Sequence, residues 1–166
     1  MTNEERDLPV EIKGLMVDPS SNMPIVILRE KDGQRLLPIW IGVFEANAIA
    51  QKIDGLEPQR PMTHDLIFNS YEALGAKVEK IVISDLQEST FFALIYLQTK
   101  AGELTIDARP SDAMALALRA EAPLFVRTSV LDQALAADRV TEVSDEEQLK
   151  KWLEELDPDE LGKYTM

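Results

Sequence analysis

The stretch "ELTIDARPSDAMALA" (residues 103–117) ends an extended apolar run in a charged corner and continues as an apolar helix. Sixty-seven positions earlier, "LLPIWIGVFEANAIA" (36–50) makes the same transition, with Ala46, Ile49, Ala50 and Ile53 at helical spacing. At this one offset Leu37 matches Leu104, Ile39 matches Ile106, Glu45 matches Asp112, Ala46 matches Ala113 and Ile49 matches Leu116. Upstream, "KGLMVD" (13–18) aligns with "KIVISD" (80–85), and each is followed by a long alternating run, "MPIVILRE" and "TFFALIYLQ". Each half therefore reads as three strands and a helix, with hairpin turns at "KDGQ" (31–34) and "KAGE" (100–103), where glycine is expected to supply a positive φ. The fold class that follows is α+β: an internally duplicated unit of three mainly antiparallel strands plus a helix, with the helices on one face of each sheet.

The pseudo-repeats run over about 8–54 and 76–121, joined by a loop and helix at 55–75. In that linker Asp54, Gly55, Pro58 and Pro61 stiffen the loop, and Thr63 is expected to cap a helix. The stripe Leu66, Ile67, Ser70, Tyr71 and Leu74 is expected to bury, and Gly75 to end the helix. This delivers Arg60, His64 and Asp65 to a helix start, where Asp65 serves the helix end rather than the imidazole. "PLFV" (123–126) predicts a short strand and "SVLDQALAA" (129–137) a short helix. Residues 1–137 form one domain on this reading, and 138–166 an acidic C-terminal extension. There, a capping box of Ser144 and Glu147 and the stripe Leu149, Trp152, Leu153 and Leu156 predict an amphipathic helix. In "TFFALIYLQ", alternation separates Phe92, Leu94 and Tyr96 from Phe91, Ala93, Ile95 and Leu97, and both faces are expected to be core.

Thirty acidic residues against 17 basic ones give a net charge of −13, a field that repels polyanions on average. Ten of the acids, against four basic residues, lie from Asp138 onward. A nucleic acid could bind only through a local basic patch or a bridging cation, with affinity falling steeply in salt. With no cysteine, disulfides, thiolate zinc sites and cysteine nucleophiles are excluded, and no stretch is long and apolar enough for a membrane span. The expectation is a cytoplasmic protein with no membrane association. Phosphate-loop, Rossmann, G-x-S-x-G and H-E-x-x-H motifs are absent, so no organic cofactor is expected.

The corner at 107–112 has a structural explanation for half of its charge. Pro110 begins a helix and holds Arg109 extended, Ser111 can cap, and Asp112 in the first turn is favoured by the helix dipole. Asp107 and Arg109, two apart on a strand, project to one side and either lock the turn as an ion pair or bind an oxyanion. His64, the one histidine, is either a solvated helix-start residue or an acid–base group. Glu45 and Asp112, at equivalent corners, can converge on one divalent ion with Asp107 as third donor, a set suited to Mg²⁺ or Mn²⁺ and to phosphodiester cleavage.

"LPIWIGVFEANAIA", "RPMTHDL", "ALGAKVEKIVISDL" and "DARPSDAMALALRAEAPLFV", in this order and spacing, resemble the bifunctional nuclease domain family of bacteria and plants over about residues 8–132. The resemblance implies a duplicated α+β fold that assembles as a homo-oligomer, a dimer or trimer, and hydrolyses phosphodiester bonds in RNA and DNA with little sequence specificity. Its recurrent polar positions match Glu45, Arg60, Thr63, His64, Asp65, Asp107, Arg109, Ser111 and Asp112. The chemistry of these corners, rather than the resemblance, makes His64, Asp107, Asp112 and Glu45 the expected catalytic residues, with Asp107, Asp112 and Glu45 holding a cation or water. Arg60, Arg109, Ser111 and Thr63 are the expected substrate contacts. The alternative is a non-enzymatic oligomeric scaffold whose acidic surface meets a protein partner.

Overall fold

A computed structural model describes residues 4–136, 141–142 and 151. Within them the chain runs β1 (Asp7–Val17), β2 (Pro24–Glu30), β3 (Arg35–Trp40), α1 (Val43–Ile53), α2 (Thr63–Ala73), β4 (Lys77–Gln87), β5 (Thr90–Thr99), β6 (Gly102–Ala108), α3 (Pro110–Ala120), β7 (Leu124–Arg127), α4 (Thr128–Ala136) and β8 (Thr141–Glu142). The class is α+β, and three strands followed by a helix occur twice in the order. The expected C-terminal helix and its stripe lie outside the described residues.

The strands form one mixed sheet rather than two, in the order β6-β5-β4-β7-β1-β2-β3-β8. Each half is an antiparallel meander, and β7 joins them, antiparallel to β1 and parallel to β4. Because β6 and β7 run the same way with β5 and β4 between them, α3 has to cross the sheet to connect them. That crossing explains why α3 is the most buried helix: Ala113, Met114, Ala115, Leu116 and Ala117 sit in the main core with Ile81, Ile83, Ala93, Ile95 and Ile49. Small side chains on α3 let it lie close to the sheet.

Local details depart from the sequence expectations. Gly102 has φ +120, but Gly33 is not in the left-handed region, so only one of the two hairpins uses its glycine that way. The β4–β5 turn instead places Glu88 and Ser89 at φ 46 and 65. Phe91, Ala93, Ile95 and Leu97 are buried, whereas Phe92, Leu94 and Tyr96 are half-buried, so β5 is core on one face only. Helix α2 is rotated from its predicted stripe. Ile67, Phe68 and Tyr71 pack on the core while Leu66 and Leu74 point outward, because buried polar contacts of His64 and Asp65 fix the helix's rotation. Ile53 of α1 is likewise exposed. Thr63 is the first helical residue and Met62 the N-cap; Asp65 Oδ2 accepts from the Met62 N–H at 2.9 Å.

Candidate functional site

Three helix starts meet at one groove. Glu45, Asp65 and Asp112 each occupy the third helical position after the N-caps Gly42, Met62 and Arg109, and His64 takes the second position of α2. Acids there complement the partial positive charge of the helix end. A cavity of about 510 Å³ at this junction is lined by Phe44, Asn47, Ala48 and Gln51 of α1, Met62, Thr63, His64, Ile67 and Tyr71 at α2, Ile95 and Ile106–Ala108 of the strands, and Arg109, Asp112 and Leu116. Glu45 lines it as well.

Its polar side chains form a chain of charge-assisted contacts. His64 Nε2 lies 2.8 Å from Asp112 Oδ1, Arg109 Nε donates to Asp112 Oδ2 at 2.9 Å, and Arg109 Nη2 donates to Glu45 Oε1 at 2.7 Å. Burial pushes the Asp112 carboxyl up, but the hydrogen bonds from His64 and Arg109 outweigh it and hold the group below its ordinary value. The same acids push the Arg109 guanidinium up, the Asp112 hydrogen bond foremost. With Asp112 ionised, His64 Nε2 is the donor, and the ring's Nδ1 has no hydrogen-bond partner among the described residues. Arg109 is 38% exposed and its Nη1 likewise has no partner among them.

A second buried polar link supports the first. Arg119, almost fully buried on α3, donates from Nε to Asp65 Oδ1 at 2.7 Å and from Nη1 to the carbonyls of Ala115 and Ala48 at 2.8 and 3.3 Å. It therefore ties α1, α2 and α3 together one helical turn beyond the groove. Burial pushes the Asp65 carboxyl up, but the Met62 N–H and Arg119 bring it net below its usual range. Sequence reasoning missed Arg119; the available signal was a guanidinium inside the apolar run "AMALALRA". It also missed the groove face of α1, where Phe44, Ala48 and Gln51 recur at helical spacing.

The expected site residues are brought together unequally. Glu45, Thr63, His64, Asp107, Arg109 and Asp112 line the groove, whereas Arg60 sits on the exposed loop before α2, outside its lining. Ser111 is buried under the start of α3, outside the lining too, and makes no cap hydrogen bond. Asp107 and Arg109 are not paired: Arg109 is engaged by Asp112 and Glu45, and Asp107 has no hydrogen-bond partner among the described residues. Strand pairing explains this. Ala108 faces the main core opposite Ala93, so alternation turns Asp107 toward the other face, and it reaches the groove from its rim.

A divalent cation shared by Glu45, Asp107 and Asp112 does not fit this donor set. Both oxygens of Asp112 and one of Glu45 are engaged by His64 and Arg109, a guanidinium stands between the two acids, and no three His, Asp or Glu side chains among the described residues are grouped to hold a metal.

The architecture defines an α+β protein with a histidine–carboxylate–guanidinium groove at the edge of a mixed sheet. The bifunctional nuclease domain profile matches residues 26–138, and the chain belongs to that family. It is 42% identical over 161 residues to an uncharacterized protein of Mycobacterium tuberculosis, covering 92% of this chain and 96% of that protein. It is also 28% identical over 123 residues to bifunctional nuclease 2 of Oryza sativa subsp. japonica, covering 71% of this chain and 38% of the rice protein. Bifunctional nuclease 2 of Arabidopsis thaliana matches at 26% identity over 106 residues, 61% of this chain and 32% of the plant protein. No described helix is long and apolar enough to cross a membrane.

Proposed function

We propose that the groove hydrolyses phosphodiester bonds in nucleic acid, RNA and DNA alike, with His64 as general base. The observation that carries this is the His64–Asp112–Arg109–Glu45 chain lining an open cavity, in a family whose plant relatives are named nucleases. As the water oxygen bonds to phosphorus and the P–O bond to the leaving sugar oxygen breaks, the water's proton passes to His64 Nδ1 and the departing alkoxide takes a proton from solvent; Asp112 holds the ring and offsets the imidazolium charge that results. Arg109, held in place by the two acids, directs its Nη1 donors at a non-bridging phosphate oxygen, where charge grows in the transition state. The starts of α1, α2 and α3 add partial positive charge, and Thr63 supplies a hydroxyl at the rim. Asp107 orients water from the edge of β6. Similar placement of Glu45 and Asp112, each third in its helix, supports reading the two halves as copies of one unit.

The test is cleavage of single-stranded RNA and DNA, with and without Mg²⁺ or Mn²⁺, by the wild type, His64→Ala and Arg109→Ala, each with its melting temperature. General-base removal is expected to lower kcat by roughly 10²–10⁴-fold with folding retained. Equal cleavage by His64→Ala sinks the assignment.

A second reading, an oligomeric scaffold, is favoured by the edge strand β6, whose Leu104 and Ile106 are exposed. We propose that this edge joins copies of the chain into a dimer or trimer, in the cytoplasm. Light scattering of Leu104→Lys is expected to show monomer; an unchanged mass refutes this edge as the joint.

A further inference from the structure

Two buried acceptor atoms lie along the groove side of α1 without any hydrogen-bond partner, Oε2 of Glu45 and Oε1 of Gln51. The Glu45 side chain is only 8% exposed, and its other oxygen is engaged by Arg109. The Gln51 nitrogen reaches nothing better than the Met62 sulfur at 3.6 Å, a weak acceptor. A buried polar atom left unpaired is costly to stability, so two on one wall point to a bound group that donates N–H or O–H. Phe44, on the same wall, is 75% exposed and presents an aromatic ring to the groove. Met62, 46% exposed, lies against Gln51 as a flexible, displaceable cover.

Resting on the reading of this groove as a nucleic-acid site, we propose that its α1 wall is a nucleobase subsite that prefers adenine and cytosine to uracil. The base stacks on Phe44, a contact that every base can make. Its exocyclic amino group displaces the Met62 side chain and donates its two N–H groups to Glu45 Oε2 and Gln51 Oε1. Uracil presents a carbonyl at the matching position, which sets acceptor against acceptor. Preference therefore comes from α1, while the phosphate chemistry belongs to His64 and Arg109.

Calorimetric titration of AMP, CMP and UMP into the wild type, Gln51→Leu and Phe44→Ala tests this apart from any cleavage. AMP and CMP are expected to bind about tenfold more tightly than UMP. Gln51→Leu is expected to bring that ratio close to one while the melting temperature holds or rises, since an unpaired atom has been removed. Phe44→Ala is expected to weaken all three ligands about equally. Equal wild-type affinities, no binding of any nucleotide, or an unchanged ratio in Gln51→Leu would each overturn the subsite. Cleavage of A, C and U homo-oligonucleotides run in parallel separates the two proposals. Preferential binding without cleavage removes hydrolysis and keeps the subsite, while cleavage with equal binding does the reverse.

Discussion

Asp18 shows how far one side chain can stabilise this fold away from the groove. It is 2% exposed, and its carboxylate accepts from the Ser20 N–H and hydroxyl, the Ser21 hydroxyl and Trp40 Nε1 at 2.7–3.0 Å. Burial opposes its ionisation, but these four donors hold its carboxyl far below the ordinary range. Asp18→Ala strands the donors and opens the link between the β1–β2 turn and β3, an expected loss of about 3 kcal/mol measurable by urea unfolding. Glu30, Asp65 and Asp112 are also held below their ordinary values, Glu30 chiefly by the Arg35 hydrogen bond. Since a depressed carboxyl contributes fully above its unfolded value and loses that contribution as pH falls through its folded value, stability is expected to be flat from about pH 6 to 8 and to fall below about pH 4. A urea midpoint that is constant down to pH 3 would contradict this. Glu45 and Asp112 were legible in the sequence as equivalent acids, because helix-start chemistry is local. Their link through Arg109 was not, because it joins residues 64 positions apart.

At the level of elements, α3 is anchored at both ends. Its C-cap Glu121 adopts the left-handed conformation at φ 52, where a Cβ is strained. Glu121→Gly is expected to raise stability by about 0.5–1 kcal/mol in chemical unfolding; a decrease would show that the side chain outweighs the strain. Arg119 is the opposite case. Truncating it to Met leaves Asp65 buried beside an apolar stem, and the expected loss is about 3–5 kcal/mol, with α2 displaced and His64 with it. The reach of that displacement is testable, since kcat should fall in Arg119→Met even though the residue does not line the groove. Strand and helix periods placed every described helix, as well as β7, close to its observed position. The rotation of α2 escaped because Leu66 and Leu74 fit an apolar stripe as well as Phe68 does, and the polar contacts that chose between them come from α3.

Over the whole molecule, a charge of −13 surrounds a groove in which Arg109 is the only Lys or Arg lining residue among those described. A steep salt dependence requires several phosphate–cation contacts, and the structure offers few. Single-strand binding releases about 0.7 counterion per contact, so affinity for an oligonucleotide is expected to fall less than about tenfold between roughly 20 and 200 mM NaCl. Screening of the surrounding acids reduces the loss further. A slope of several log units per decade would reveal a basic surface elsewhere.

Read along the chain alone, the residues specify the order of strands and helices from β1 to α4, the three acid-bearing helix starts and six of the groove-lining side chains, Glu45, Thr63, His64, Asp107, Arg109 and Asp112. Hydrophobic period, turn chemistry and N-terminal helix electrostatics all act over a few residues, so they can be read along the chain. Only the tertiary structure decided that β7 would stitch two meanders into one sheet, that Arg109 would bridge Asp112 to Glu45 rather than pair with Asp107, and that Arg119 would fix the rotation of α2. Those outcomes depend on strand register and on which charged groups are buried together, and both are set by contacts between segments tens of residues apart.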